Sequence, residues 1–366
     1  MNGLPDIDYM QMALELASRA TIATSPNPKV GCVIVKDGQL IGQGWTQPVG
    51  QAHAEVQALR DASARGLDVR GATAYVTLEP CSHFGRTPPC ANALIDAGIA
   101  RVVAAVQDAN PQVAGRGLHT LREAGVQVES GLLAQQAREM NIGFFKRMET
   151  GKPWVRMKVA ASLDGRTALP NGESKWITAS DARDDGHLWR ARADAILTGI
   201  GTVLADNPQM TVRAVTTPRQ PLKIVVDSQL RISPDAVLLE DGSTILVSAK
   251  EVDSGFLSRR QALVEKGAEI LHLPDADAHV DLSALLLELG RRQINELHVE
   301  AGATLNGALI DQSCVDELLI YLSPKILGDG AGLFQLPELK KIAEAKQVKF
   351  HQVTQIGDTL RILARF

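Results

Sequence analysis

The sequence predicts an α/β protein in two domains, and three observations carry that expectation. Short apolar runs alternate with amphipathic, helix-length stretches along the chain, the pattern of a sheet covered by helices. At 366 residues the chain is long for a single core. Around Asn141–Lys152 the helical pattern gives way to F-F-K-R-M-E-T-G-K-P, a charged stretch containing Gly and Pro that reads as a boundary. This places the domains at 1–147 and 148–366.

The first domain opens on an amphipathic helix from Asp8 to Ala20, with Met12, Leu16 and Arg19 spaced by turns and Asp8 and Gln11 placed as a capping box. S-P-N-P breaks the chain, and Val30–Val35 reads as a strand. K-D-G-Q at 36–39 is a hairpin signal that returns Leu40–Trp45 antiparallel. A helix from His53 to near Gly66 and a strand at Ala72–Leu78 follow. Then come a helix at Cys90–Ala97, a strand at Val102–Val106, a helix near Leu118–Ala124 and a strand at Val126–Glu129.

In the second domain, strands are expected at Trp154–Ala160, Ala195–Thr198, Lys223–Asp227, Thr244–Val247, Glu269–Leu273 and Leu297–Val299, with helices between them, one carrying Arg190. Gly199 and Gly201 lack the third glycine of a dinucleotide fingerprint. After Val299, E-A-G-A-T-L-N-G-A is a strand end, a small-residue turn and a helix start, which offers N–H groups to an anion, commonly phosphate.

A net charge of −4 and 4% aromatic residues argue against a nucleic-acid or anionic-membrane surface. Four cysteines fit a reducing compartment. The N-terminus has no basic and apolar signal regions, and no apolar run approaches the ~20 residues of a membrane span. A cytoplasmic protein is expected.

The chemistry concentrates between His53 and Cys90. H-A-E at 53–55 and E-P-C-S-H-F-G-R-T-P-P-C at 79–90 supply one imidazole, two thiolates and a glutamate. Zn²⁺ in a catalytic site takes three such N and S ligands and leaves a fourth position to water, whose pKa it lowers. His53, Cys81 and Cys90 are the expected ligands, with Glu55 as proton shuttle. The arrangement resembles the H-x-E…P-C-x-x-C of nucleobase deaminases, with eight residues between the cysteines instead of two. His83 is a rival ligand, and packing or a disulfide is the alternative for the cysteines. Cys32 and Cys314 read as buried small residues.

Together with S-P-N-P-K-V-G at 25–31, these motifs resemble the bifunctional deaminase-reductases of bacterial riboflavin biosynthesis. The resemblance continues through K-V-A-A-S-L-D-G-R-T-A from Lys158, E-S-K-W-I-T from Glu173, T-V-L-A-D-N-P-Q-M-T-V-R from Thr202 and V-E-A-G-A-T-L-N-G from Val299. It implies a cytidine-deaminase-like α/β/α domain followed by a dihydrofolate-reductase-like domain that uses NADPH. It implies zinc-dependent deamination of a phosphoribosylated diaminopyrimidinone, then reduction of the ribosyl group to ribityl. By correspondence, Asn27 and Arg86 meet the deaminase substrate, and Lys158 and Asp206 lie near the reacting sugar. Ser174, Arg190 and Arg213 meet the substrate phosphate, with Met210 and Glu300 in the same site. Ala160, Trp176, Thr202, Asp206, Ser228 and the turn Gly302, Ala303, Thr304, Leu305, Asn306 and Gly307 line the NADPH site. Members of the family are usually homo-oligomers.

Taken alone, these residues have plainer readings: Asn27 as a turn former, Glu55 as a helix N-terminal acid, Asp206 as a cap, Lys158 and the arginines as exposed charges. Two rival functions are a nucleic-acid-editing deaminase, which needs a basic and aromatic path, and a zinc-stabilised binding module, which usually needs four protein ligands.

Overall fold

The structure is a computed structural model that describes residues 4–82, 89–111, 113–250 and 255–366. The chain divides between Gly151 and Lys152 into two compact units. This lies beyond the expected 147/148 boundary, which falls inside a continuous helix, Ile142–Thr150. Phe144 and Phe145 of that helix are buried in the first unit's core, and Gly151, in a left-handed conformation, ends it.

Strand β1 (Gly31–Lys36) is the middle of the first unit because both its faces are apolar. Side chains alternate across a strand, so Cys32 and Ile34 join one core cluster while Val33 and Val35 join another on the opposite face. Asp37 and Gly38 both have positive φ, which gives the tight hairpin turn into β2 (Gln39–Trp45). With β3 (Thr73–Val76), β4 (Arg101–Ala104) and β5 (Gln127–Ser130) the sheet order is β2-β1-β3-β4-β5. β1 is antiparallel to β2 and β3, and β3, β4 and β5 are parallel.

Helix α1 (Asp6–Ser18) covers the Val33 face. It starts two residues earlier than expected, directly after Pro5, and no side chain caps it, so the Asp8–Gln11 capping box is not formed. α2 (Ala54–Ala64) and α3 (Cys90–Asp96) cover the other face, along with the buried Leu121 of α4 (Arg116–Glu123). α5 (Ala134–Met140) and α6 (Ile142–Thr150) complete the unit. The layers are helix, sheet, helix.

α2 seats unusually close to β2. A Cβ on Gly42 would stand 2.4 Å from the Ala58 carbonyl oxygen, and one on Gly44 2.5 Å from that of Ala54. Two glycines on one strand face meet the buried small-residue stripe Ala54, Ala58, Ala62. This contact fixes where the first turn of α2 lies.

In the second unit, β6 (Trp154–Ser162) and β7 (Arg166–Ala168) lead into α7 (Ser180–Arg192), β8 (Ala195–Gly199), α8 (Ile200–Asp206) and β9 (Leu222–Val226). β10 (Thr244–Ser248), α9 (Phe256–Glu265), β11 (Glu269–His272) and α10 (Leu282–Arg291) follow, then β12 (Glu296–Val299) and α11 (Ala303–Asp311). β13 (Glu317–Ser323), β14 (Ala331–Gly332), β15 (Lys349–Ile356) and β16 (Thr359–Arg365) end the chain. The main sheet runs β11-β10-β9-β8-β12-β6-β13-β16-β15. The strands from β11 to β13 are parallel and β16 and β15 are antiparallel. A parallel sheet of this kind binds ligands beyond the carboxyl ends of its strands.

Candidate metal centre and second-unit cavity

Three ligand-type side chains converge in the first unit. His53 Nδ1 lies 3.3 Å from Cys90 Sγ and 3.7 Å from Cys81 Sγ, and the three donor atoms all fall within 4.8 Å of one another. With Zn–N near 2.0 Å and Zn–S near 2.3 Å, tetrahedral angles set N and S ~3.5 Å apart, so the donor set fits zinc. The cluster holds three side-chain donors among the described residues, as a catalytic site requires. His83 and Arg86 lie outside the described residues.

Each donor sits at an element end. His53 is the extended residue before α2, so its ring projects ahead of the helix, and Glu55 follows in the first turn. Cys81 comes five residues after the end of β3. Cys90 opens α3, and its backbone N–H donates to Cys81 Sγ at 3.3 Å. β1 runs antiparallel to β3, and Thr77 N–H donates to the Gly31 carbonyl at 3.0 Å. The half-buried turn holding Asn27 therefore lies at the sheet edge from which Cys81 emerges.

Glu79 was not singled out in the sequence and does the positioning. One of its carboxylate oxygens accepts from the N–H of Gly117 (2.8 Å) and Leu118 (3.2 Å), the other from Gly115 (2.9 Å) and Asp108 (3.1 Å). This buried carboxylate thus caps α4 from another part of the chain and fixes the backbone two residues before Cys81. Gly117 is required there, since a Cβ would stand 1.9 Å from the Pro80 carbonyl oxygen.

Glu55 is only 4% exposed. Burial, reinforced by the charge of Cys81, pushes its carboxyl up to about 7. A hydrogen bond from Cys90 holds the Cys81 thiol down at about 4, and the same bond pushes Cys90 up. Hydrogen bonding to Cys81 raises His53 against the opposing effect of burial.

The second unit holds a cavity of about 1120 Å³ at the carboxyl ends of its strands. Lys158, Ala160, Ser174, Thr202, Asp206 and Ser228 line it, as do Glu300 and the turn from Gly302 through Asn306. Thr202 and Asp206 stand one turn apart on α8, so one helix face serves both. Asn306 Nδ2 donates to the Ala301 carbonyl at 3.0 Å, and its buried Oδ1 has no partner among the described residues. No side chain caps the start of α11. An orphaned acceptor and an uncapped helix start on one wall fit a dinucleotide's hydroxyl and phosphate groups.

Other expected residues lie off this lining. Gly307 packs, its Cβ position lying 1.9 Å from the Gln335 carbonyl oxygen. Trp176 is 62% exposed beneath the Arg183 guanidinium. Met210 is buried. Arg190 makes a two-pronged pair with Glu300 at 2.5 and 2.9 Å and also donates to the Thr211 carbonyl at 3.0 Å. Arg213 is exposed, and its backbone N–H faces His187 Nδ1. Lys158 Nζ lies 3.9 Å from Glu300, and Asp206 pairs with Lys175 at 2.8 Å. His298, which the sequence offers as a surface or packing residue, is fully buried with Nε2 3.2 Å from Glu300, and Arg231 and Lys250, which the sequence did not single out, line the cavity.

Residues 5–106 match the cytidine and deoxycytidylate deaminase zinc-binding region, and residues 153–362 match the RibD C-terminal domain. The Escherichia coli riboflavin biosynthesis protein RibD is 49% identical, with 97% of each chain covered. The chain belongs to the RibD family. A solved structure of Acinetobacter baumannii RibD is 42% identical, covers 98% of both chains and superposes with a TM-score of 0.88. A Thermotoga maritima diaminohydroxyphosphoribosylaminopyrimidine deaminase/5-amino-6-(5-phosphoribosylamino)uracil reductase is 32% identical over 98% of both chains, with a TM-score of 0.86. The protein is accordingly a bifunctional deaminase and reductase of riboflavin biosynthesis, with a cytidine-deaminase-like unit ahead of a RibD reductase unit. The zinc-binding match covers His53 and Cys81 and Cys90, so the deaminase unit is a zinc unit. No helix among the described residues is long and apolar enough to cross a membrane.

Proposed function

We propose that 1–151 deaminates 2,5-diamino-6-(5-phosphoribosylamino)pyrimidin-4(3H)-one and that 152–366 reduces the ribosyl group of the resulting uracil with NADPH. The observation that carries the first half is a three-donor metal cluster with a buried glutamate against it. Zinc held by His53, Cys81 and Cys90 supplies Lewis acidity and a nucleophile at neutral pH. Glu55 moves the protons: it delivers one to the ring nitrogen and the next to the departing amine, so water adds and ammonia leaves. Asn27 holds the pyrimidine, and Arg86 its phosphate or ring.

In the second unit NADPH supplies the hydride. Lys158 and Asp206 act beside the sugar carbon joined to the amine. Ser174, Arg190 and Arg213 hold the phosphate, Met210 and Glu300 the rest of the substrate. Arg190 already engages Glu300 through two bonds, so it also orients that carboxylate. Ala160, Trp176, Thr202, Asp206, Ser228 and the Gly302–Gly307 turn receive the dinucleotide. Net charge and composition support a cytoplasmic protein without nucleic-acid partners, and the resemblance supports a homo-oligomer.

The test is to supply the diaminopyrimidinone first without and then with NADPH. Ammonia is expected in the first stage and loss of NADPH absorbance only in the second. Release of ammonia from an RNA hairpin but not from the phosphorylated pyrimidine would overturn the reading.

A further inference from the structure

Between the second unit's main sheet and α7 lies a buried histidine with no part in the proposed reaction. Glu296, His298 and Glu300 alternate along β12 and just past its end, so they share one sheet face. Glu300 lines the cavity, whereas His298 is 0% exposed and does not. The ring Nε2 lies 3.2 Å from Glu300 Oε1. Apart from that contact, neither ring nitrogen has a polar partner among the described residues.

The surrounding charges settle the form of the ring. Arg156 pairs in register with His298 on β6, Lys158 follows on the same face, and Arg190 comes from α7. On the other side β8 brings the uncharged Ile196 and Thr198. Burial holds the imidazole below its ordinary pKa, and the pull of Glu300 does not outweigh burial together with the Arg156 and Arg190 charges. Glu300 itself is a carboxylate, which only accepts. A neutral imidazole 3.2 Å from such an acceptor presents an N–H to it, which puts the ring proton on Nε2.

Glu300 is held from several sides. Its N–H donates to the Leu197 carbonyl at 2.9 Å, and its carbonyl accepts from Thr198 Oγ1 at 2.8 Å, so β8 ties down the backbone. Arg190 reaches both carboxylate oxygens, Oε1 at 2.5 Å and Oε2 at 2.9 Å. Lys158 Nζ stands 3.9 Å from Oε2. His298 meets Oε1 and leaves Oε2 to Lys158 and the cavity. Arg190 is also expected to meet the substrate phosphate, and a guanidinium that shares its donors with a phosphate grips the carboxylate less firmly. His298, sealed from the cavity, is not drawn away by substrate.

We propose that His298 is a positioning residue of the reductase site, whose Nε2–H fixes Glu300 Oε1 so that Oε2 and Lys158 face the reacting sugar. The proposal rests on the reading of this unit as a reductase with Glu300 and Lys158 at its substrate. A site carboxylate acts only when its supporting contacts hold it to a fraction of an ångström. A neutral donor supplies such a contact without adding a charge beside Arg156 and Arg190.

Steady-state reduction of the deaminated substrate by the full chain tests it. His298→Phe keeps a ring and removes the donor; it should lower kcat/KM for the pyrimidine by ~10–100-fold while KM for NADPH changes less than about twofold. His298→Gln, whose amide can stand in for Nε2–H, should keep kcat/KM within about fivefold of the unaltered protein. Leu297→Val, in the apolar core on the opposite face of the same strand, should lower the melting temperature and leave kcat/KM unchanged, which separates positioning from stability. Nitrogen-15 spectra of the unaltered protein, with the His298 signals identified by their loss in His298→Gln, should show the Nε2–H tautomer. Full activity in His298→Phe, equal losses in the Phe and Gln variants, or an Nδ1–H tautomer would each overturn the proposal and leave the reductase reading standing. An unaltered chain that reduces nothing with NADPH would overturn both.

Discussion

Glu55 stands in the first turn of α2, nearly sealed from water, two residues from one donor of the cluster and in contact with Cys90. A carboxyl so placed exchanges protons only within the pocket. Glu55→Gln keeps the shape and removes the exchangeable proton, so zinc content should stay at one per chain while deamination falls by ~10²–10⁴-fold. Metal analysis beside an ammonia assay reads this; unchanged deamination would show that the glutamate is only a helix-terminal acid. Glu300 makes a second prediction. Burial alone would push it up, but the charges of Arg190 and Lys158 outweigh that and hold it well below 4.5. Its contribution to stability is therefore present above 4.5 and lost as pH falls below that value. Glu300→Gln leaves Arg190 unpaired and should cost about 3 kcal/mol at neutral pH. It should also flatten the acid limb of the second unit's stability curve, which denaturant melts at several pH values will read.

Elements set the position of these residues through close contacts. β2 admits α2 because Gly42 and Gly44 have no side chains, and α2 in turn carries His53 and Glu55. Gly42→Ala should push the helix outward, destabilise the first unit by about 1–3 kcal/mol and weaken zinc retention against a chelator, although no donor is touched. Glu79→Gln should do the same through another route. It leaves one acceptor oxygen and sets an NH2 donor against two of the four amide N–H groups of Asp108, Gly115, Gly117 and Leu118, at a cost of about 3 kcal/mol, and it frees the segment leading to Cys81. Zinc titration and melting of both variants check this; retained zinc affinity would show that neither contact positions the donors. H-A-E and P-C were legible because ligand type and spacing carry the chemistry locally. Glu79 was not, because its partners lie about 30 to 40 residues downstream and nothing in E-P-C marks a cap. The expected box at Asp8 and Gln11 failed for a related reason: Pro5 had already started the helix.

At the scale of the whole molecule, alternating strands and helices predicted two α/β units, and the RibD fold agrees. Strand order was not legible. β6 lies between β12 and β13, which follow it by about 140 and about 160 residues, and local periodicity holds no trace of such pairing. β15 was missed because it is mostly exposed and lacks an alternating buried face. Arg231 and Lys250 were not singled out in the sequence, because only the order of the strands brings their two strand ends to one cavity. Because the second unit carries its own core, residues 152–366 expressed alone should fold cooperatively. Circular dichroism melts check this, and a fragment without a cooperative transition would contradict it. The most direct measurement of the two-site account is a chelator experiment on the intact chain, following ammonia and NADPH absorbance separately. Stripping zinc should abolish ammonia release from the diaminopyrimidinone, leave NADPH-dependent reduction of the deaminated substrate intact, and be reversed by one equivalent of zinc. Deamination that survives complete metal removal would contradict the account.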